Sequence, residues 1–305
     1  MRILLLALLL AGSLGLVAQD DGEEDLLALV EDDEEEKEFE SALWKTTRVI
    51  NLQSLENNAP GELDFKISHR FGFINQGAYE FFGLDNATIR LGLEMGLTER
   101  LMVGFGRSSY EKTFDGFLKY KLVRQATGPK SSPIAISAFA SMAINTLRPE
   151  DPEMDVLFSS RLSYAFQLIF GRKFSEGFTA QISPTLIHRN LVETTSDKND
   201  VFAIGFAARQ KVGKRVAINA EYIYVFPDQI SEEFVDYSLS VGVDIETGGH
   251  VFQIHLTNST AMIEKGFVAE NTGDFFDGDI HLGFNISRVF TLWDPYGKKE
   301  EKREW

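Results

Sequence analysis

The sequence predicts an all-β protein, a closed antiparallel up-and-down transmembrane β-barrel of about 12 strands. Three observations carry this. From about residue 61 apolar and polar residues alternate with period two, as in Leu63, Phe65 and Ile67 against Asp64, Lys66 and Ser68. The connections between alternating runs are, apart from the second and third, long and short in turn, as in a meander with short periplasmic turns and longer external loops. The apolar phase is bulky on nearly every run, whereas the other is rich in Gly and Ser. Small residues suit the crowded concave side of a barrel and leave large ones for lipid. A soluble sandwich or lipocalin-like barrel also alternates, but so many strands of bulky residues would overfill its interior.

Averages conceal this pattern. The 305 residues carry a net charge of −16, are 44% hydrophobic and include no cysteine. The acidic balance argues against nucleic-acid phosphates as partners, and the missing cysteine excludes disulfides, thiolate metal sites and lipid-modified Cys anchors. No cofactor is implied.

Residues 1–18 place Arg2 before a Leu/Ile/Ala run that ends in small residues, the order of a cleavable secretory signal peptide, here cut after Ala18. Residues 19–43 form an acidic segment. Between Asp20 and Glu40 thirteen acids face one lysine, Lys37, leaving only −5 on residues 41–293. Like charges repel, so this stretch is expected to be a disordered periplasmic tether able to recruit a basic periplasmic partner. Residues 44–60 include Trp44, Val49, Ile50 and Leu52 in a polar context and are expected to lie along the periplasmic mouth or enter it as a plug.

Residues 61–293 form the barrel, with strands expected at 63–71, 89–96, 101–107, 114–122, 134–144, 158–170, 178–188, 202–210, 216–225, 237–245, 251–257 and 280–290. Tilted membrane strands need about 9–11 residues. Phe81, Phe82, Tyr110, Tyr222, Tyr224, Phe290 and Trp293 sit near strand ends, where a membrane interface favours aromatic rings. The final strand has the form of a C-terminal assembly signal, followed by a polar tail, 294–305. Acidic external loops offer contacts to lipopolysaccharide through divalent cations, beside the outer-membrane lipid that the barrel wall must meet.

Several blocks resemble an uncharacterised family of Gram-negative outer-membrane β-barrels, a domain of unknown function. These are Arg48-Val49-Ile50-Asn51, Ser68-His69-Arg70-Phe71-Gly72, Phe81-Phe82-Gly83-Leu84-Asp85-Asn86-Ala87 with Arg90 and Gly92, and Gly106-Arg107-Ser108-Ser109 with Lys112, Asp115-Gly116-Phe117 and Lys119-Tyr120. The resemblance implies a barrel in the outer membrane of a Gram-negative bacterium, and it transfers no substrate or functional residue.

Inward charges then become candidate lumen or constriction residues: Lys66, Arg70, Arg90, Glu94, Asp115, Lys119, Lys121, Arg161, Arg209, Glu221 and Asp244, with Asp64. Mixed signs fit either structural pairing or a constriction in a small-solute channel. A closed structural barrel using its acidic segment to hold a partner is the competing reading. If Thr257 opposes Asp279, His255 opposes His281 and the two imidazoles could share a metal ion. An outer-membrane lipid hydrolase using His69 or His188, the histidines on the lipid-facing phase, is the least favoured reading, because neither has a nucleophile elbow or other distinctive motif beside it, and the chain reads as a non-enzyme.

Overall fold

The computed structural model describes residues 37–149, 156–192, 194–295 and 297. The expected signal peptide (residues 1–18), residues 19–36 of the acidic segment and the end of the polar tail lie outside these.

Twelve strands form one closed antiparallel barrel. They are β1 (Glu62–Phe73), β2 (Ala87–Gly96), β3 (Leu101–Ser108), β4 (Phe114–Val123), β5 (Ala135–Ile144) and β6 (Leu162–Lys173), then β7 (Phe178–Arg189), β8 (Asp200–Lys211), β9 (Val216–Val225), β10 (Tyr237–Thr247), β11 (His250–Thr257) and β12 (His281–Thr291). Each strand pairs with its sequence neighbours, and β12 closes on β1 from Gly283↔Arg70 to Thr291↔Glu62. Closure leaves no sheet edge, which is what a hydrocarbon surrounding demands of a sheet.

The two faces invert the usual distribution. Outward side chains include Phe105, Leu118 and Phe166, at 54%, 56% and 49% exposure, while inward Lys66, Arg90, Glu94 and Lys119 are at 1% or less. Apolar groups face out and charges face in, as expected where the outer solvent is lipid.

One strand starts later than its alternation suggests. Phe158–Arg161 form a 3-10 turn, and β6 begins only at Leu162. The Ser160 amide and hydroxyl both donate to the Leu157 carbonyl, at 3.1 and 2.6 Å, holding the chain in a turn in place of the ladder. A second irregularity lies between β6 and β7. The ladder is paired at Gln167↔Thr185 and again at Phe170↔Ile182 in one register, but the two pairs between them are absent. Pro184 stands there and has no N–H to give.

The chain ahead of β1 does not stay outside. Glu38–Phe39 pair with Ala126–Thr127 at the short-turn end. Residues 43–55 are then almost wholly buried before the chain returns past Gly96 to Pro60. Only glycine admits that return, because a Cβ at Gly96 would stand 2.2 Å from the Ala59 carbonyl oxygen. From the opposite end the β11–β12 connection supplies α1 (Glu264–Ala269), whose Phe267 and Val268 are buried in one apolar cluster with Trp44, Val49, Leu52 and Leu55.

Candidate functional site

The site is the lumen and what fills it. Residues 43–58 form an inward hairpin. Arg48 and Gln53 make an antiparallel bridge, the Val49 amide donates to Leu52 O at 2.8 Å, and the Ser54 amide donates to Thr47 O at 3.0 Å. Hydroxyls close the neck, Ser54 Oγ donating to Thr46 O at 2.6 Å and Thr46 Oγ1 to Arg48 O at 2.5 Å.

A hairpin of two short limbs leaves many backbone groups without partners, and buried ones must find them. Here they find them on the barrel wall. The Glu221 carboxylate accepts three successive tip amides, from Ile50 at 3.2 Å, Asn51 at 2.9 Å and Leu52 at 3.0 Å. Converging amides of this kind form an anion nest, and the anion is a wall side chain. The carbonyls are met by donors from other strands: Gln253 to Val49 O (2.6 Å), Asn285 to Ile50 O (3.2 Å) and Gln181 to Gln53 O (2.7 Å). Lys119 Nζ reaches Thr47 O at 3.0 Å and Ser54 O at 3.2 Å. Arg70 donates to Asn51 Oδ1 at 3.0 Å.

Behind the hairpin lies an ion network. Lys66 stands between Glu94 at 3.1 Å and Asp64 at 3.4 Å, and Thr47 Oγ1 is hydrogen-bonded to both Lys66 and Glu94. Arg90 holds Asp115 by two contacts, Nε to Oδ1 at 2.9 Å and Nη2 to Oδ2 at 2.5 Å. From the loop end, Glu264 of α1 meets Arg48 at 3.2 Å and accepts from Gln53 at 3.2 Å. The filling from one end therefore touches the filling from the other.

Of the sequence-predicted lumen residues, Lys66, Arg70, Arg90, Glu94, Asp115, Lys119, Arg209, Glu221 and Asp244 are buried on the inner face. Lys121 lies at the short-turn mouth, 3.7 Å from Glu56. Arg161 stands at the loop-end mouth, half-buried beside Ser163, Arg189 and Glu270. It sits in the 3-10 turn before β6 and donates to Asn145 O and Leu147 O, because the strand it was assigned to has not yet begun.

The histidine register also needs correction. Thr257 pairs with His281, not Asp279, so His255 opposes Gly283. Asp279 is held in the loop instead, its amide donating to Asp274 O at 2.9 Å and its carboxylate accepting from Asn75 at 2.6 Å. Both imidazoles face inward, but the two ring nitrogens of His281 are already bonded, Nε2 to Thr260 Oγ1 and Nδ1 to Phe71 O. Among the described residues no group of three or more His, Cys, Asp or Glu is placed to hold a metal ion. His188 lies near the loop end of the wall, 2.7 Å from Asp200.

Sequence reasoning missed the uncharged half of the seat, namely Gln181, Gln253 and Asn285, together with Arg48, Asn51 and Gln53 of the hairpin. A search of the inward phase for all polar residues, not charges alone, would have found the first three.

The long-loop end is tied by Asp197 between β7 and β8. It accepts from the Thr194 amide (3.1 Å) and hydroxyl (3.0 Å) and from the Ser231 amide (2.6 Å). Burial pushes its carboxyl up, but these donors and Arg189 outweigh that and hold it below the ordinary aspartate value. Its contribution is therefore full above the unfolded value near pH 4 and disappears only as pH falls through the lower folded value. Asp197→Ala is expected to speed amide exchange at Ser231 about ten- to a hundredfold at neutral pH, from the loss of a charged acceptor worth about 1.5–3 kcal/mol. Unchanged exchange at Ser231 would show that this tie is not what orders the loop.

A family model described as a membrane bound beta barrel domain (DUF5777) matches residues 44–290. No curated protein matches the chain. Among solved structures, the NanC porin is similar at 7% identity, covering 75% of this chain and 98% of its own, with a TM-score of 0.45. The KdgM porin gives 9% identity, 75% and 99% coverage and a TM-score of 0.43. An outer membrane channel from Pseudomonas putida F1 gives 13%, 77% and 97%, with 0.45.

Proposed function

Since the chain belongs to the family described as a membrane bound beta barrel domain (DUF5777), we propose that it is an outer-membrane channel for small polar solutes, held shut at rest by its own N-terminal hairpin. The observation that carries this reading is the chemistry of the seat. A barrel built only as a solid wall can fill itself with apolar side chains. Here inward Glu221, Lys119, Gln181, Gln253 and Asn285 spend their hydrogen bonds on the backbone of a segment outside the ladder. Withdrawing that segment breaks no strand pairing, and water can replace each bond it made.

The exposed lumen would then present Lys66, Arg70, Arg90, Lys119 and Arg209 against Asp64, Glu94, Asp115, Glu221 and Asp244, a balance that supports weak charge selectivity. The acidic segment leads directly into the hairpin and would give a basic periplasmic partner something to pull.

The test is conductance in planar bilayers. The full chain is expected to give almost no steps, and a variant lacking residues 43–58 to give well-defined ones. If that variant keeps heat-modifiable migration yet conducts nothing, the protein is a closed structural barrel.

A further inference from the structure

One buried cation of the wall is left unanswered. Lys66 has Glu94, Arg90 has Asp115, Lys119 has Thr47 O and Arg70 has Asn51 Oδ1. Arg209 of β8 is as deep, at 4% exposure, yet among the described residues it makes no hydrogen bond and no ion pair. The carboxylates nearest in its field are engaged elsewhere: Asp244 accepts from Gln253 at 2.9 Å, Glu246 is held by Lys45 at 2.7 Å, and Glu56 lies 3.7 Å from Lys121. A buried charge without a partner is costly, and such groups ordinarily pair or hold a ligand.

Arg209 lines a crevice at the short-turn mouth, between Lys45 at the neck of the hairpin and the ends of β8, β9 and β10. Only its Nε is sealed away, so the terminal guanidinium nitrogens open into this space. The lip is basic as well. Lys211 follows Arg209 by two residues on the same strand phase, and Lys214 and Arg215 stand in the β8–β9 turn. The Val212 and Gly213 amides close that turn on Val216 O at 3.0 and 3.1 Å, and the Glu246 amide ties it to β10 by donating to Arg215 O at 2.8 Å. Five cations and two carboxylates thus line one crevice in a chain of net charge −16. A cleft lined mainly by one sign concentrates ions of the other. Its volume is about 10 Å³, room for one water-sized group.

We propose that this crevice binds a small organic carboxylate, one oxygen entering to accept from the Arg209 guanidinium while the rest of the solute lies at the lip among Lys211, Lys214 and Arg215. A carboxylate is flat and matches the guanidinium plane. A tetrahedral oxyanion carries more bulk behind the entering oxygen and fits the narrow space less well. The crevice is present with the hairpin seated, so the site does not depend on the lumen opening.

NMR of the arginine Nε–H groups in the purified full chain in detergent tests this, with Arg209→Lys identifying the Arg209 resonance. Succinate added at constant ionic strength is expected to move that resonance saturably, and sodium chloride is expected to leave it in place. Arg209→Gln should weaken succinate binding, read by saturation transfer to the ligand, about tenfold or more. Lys211→Ala with Arg215→Ala should weaken it about two- to fivefold, since exposed charges contribute less. Phosphate should bind more weakly than succinate. An Arg209 resonance that stays put, or that chloride moves equally, means that the crevice holds only water or a simple ion, and the proposal fails. Equal binding by Arg209→Gln with heat-modifiable migration intact overturns it too, and phosphate binding tighter than succinate overturns the carboxylate. A barrel that binds succinate but never conducts keeps this site and loses the channel.

Discussion

Glu221→Ala is expected to unseat the hairpin and turn a closed barrel into one that conducts intermittently. Three tip amides lose their shared acceptor at once. A hydrogen bond to a charged group contributes about 1.5–3 kcal/mol, and three on one carboxylate do not add, so a total near 3–5 kcal/mol is expected. Set against the seated state, that shifts the closed-to-open ratio by about 10²–10⁴. Glu221→Gln keeps an acceptor oxygen without the charge and should fall between. Single-channel recording gives the open fraction, and amide exchange at Ile50, Asn51 and Leu52 gives the seat itself. Protection of those amides equal to wild type, with silent membranes, would mean that the remaining donors hold the hairpin alone.

A second large effect is expected at Asp115→Ala, and this one concerns the wall. Arg90 is 1% exposed and holds Asp115 through two parallel contacts. The guanidinium is packed so closely over Gly106 that a Cβ there would meet Nη2 at 2.3 Å, so it has no room to swing toward water. Removing one member of such a pair leaves a buried charge uncompensated, which costs about 3–5 kcal/mol. The midpoint of urea unfolding, followed by heat-modifiable migration, should fall accordingly. Replacing both, Arg90→Met with Asp115→Leu, should recover most of the loss, since an apolar pair of similar volume is often no less stable. If the double variant is as unstable as Asp115→Ala, the destabilisation comes from lost shape and not from the stranded charge.

What could be read from the chain follows from how local each feature is. All twelve strands are visible because a lipid-facing strand writes its environment on every second residue, and the alternation of Leu63, Phe65 and Ile67 with Asp64, Lys66 and Ser68 needs no knowledge of partners. Arg161 was misplaced because Phe158 and Leu162 keep that alternation through a turn made by Ser160. The His255 register was misjudged because a symmetric hairpin ignores Asp279 being held by Asn75 in another loop. The seat was invisible for a stronger reason. Asn51 and Glu221 are 170 residues apart, and nothing near either announces the other. Arg48-Val49-Ile50-Asn51 stood out only through family resemblance, which gave no role.

The reach of the hairpin also fixes an order of assembly. Its contacts to Glu221, Gln253 and Asn285 span 170, 204 and 235 residues, and long spans close late because loop entropy must be met first. Asn285 lies on β12, the strand that also pairs with β1 to complete the ring. The earliest segment of the described chain thus cannot complete its bonds until the last strand is positioned. The ladder can close without the hairpin, whereas the hairpin's bond to Asn285 needs β12 in place, so complete seating cannot precede the positioning of the strand that closes the ring.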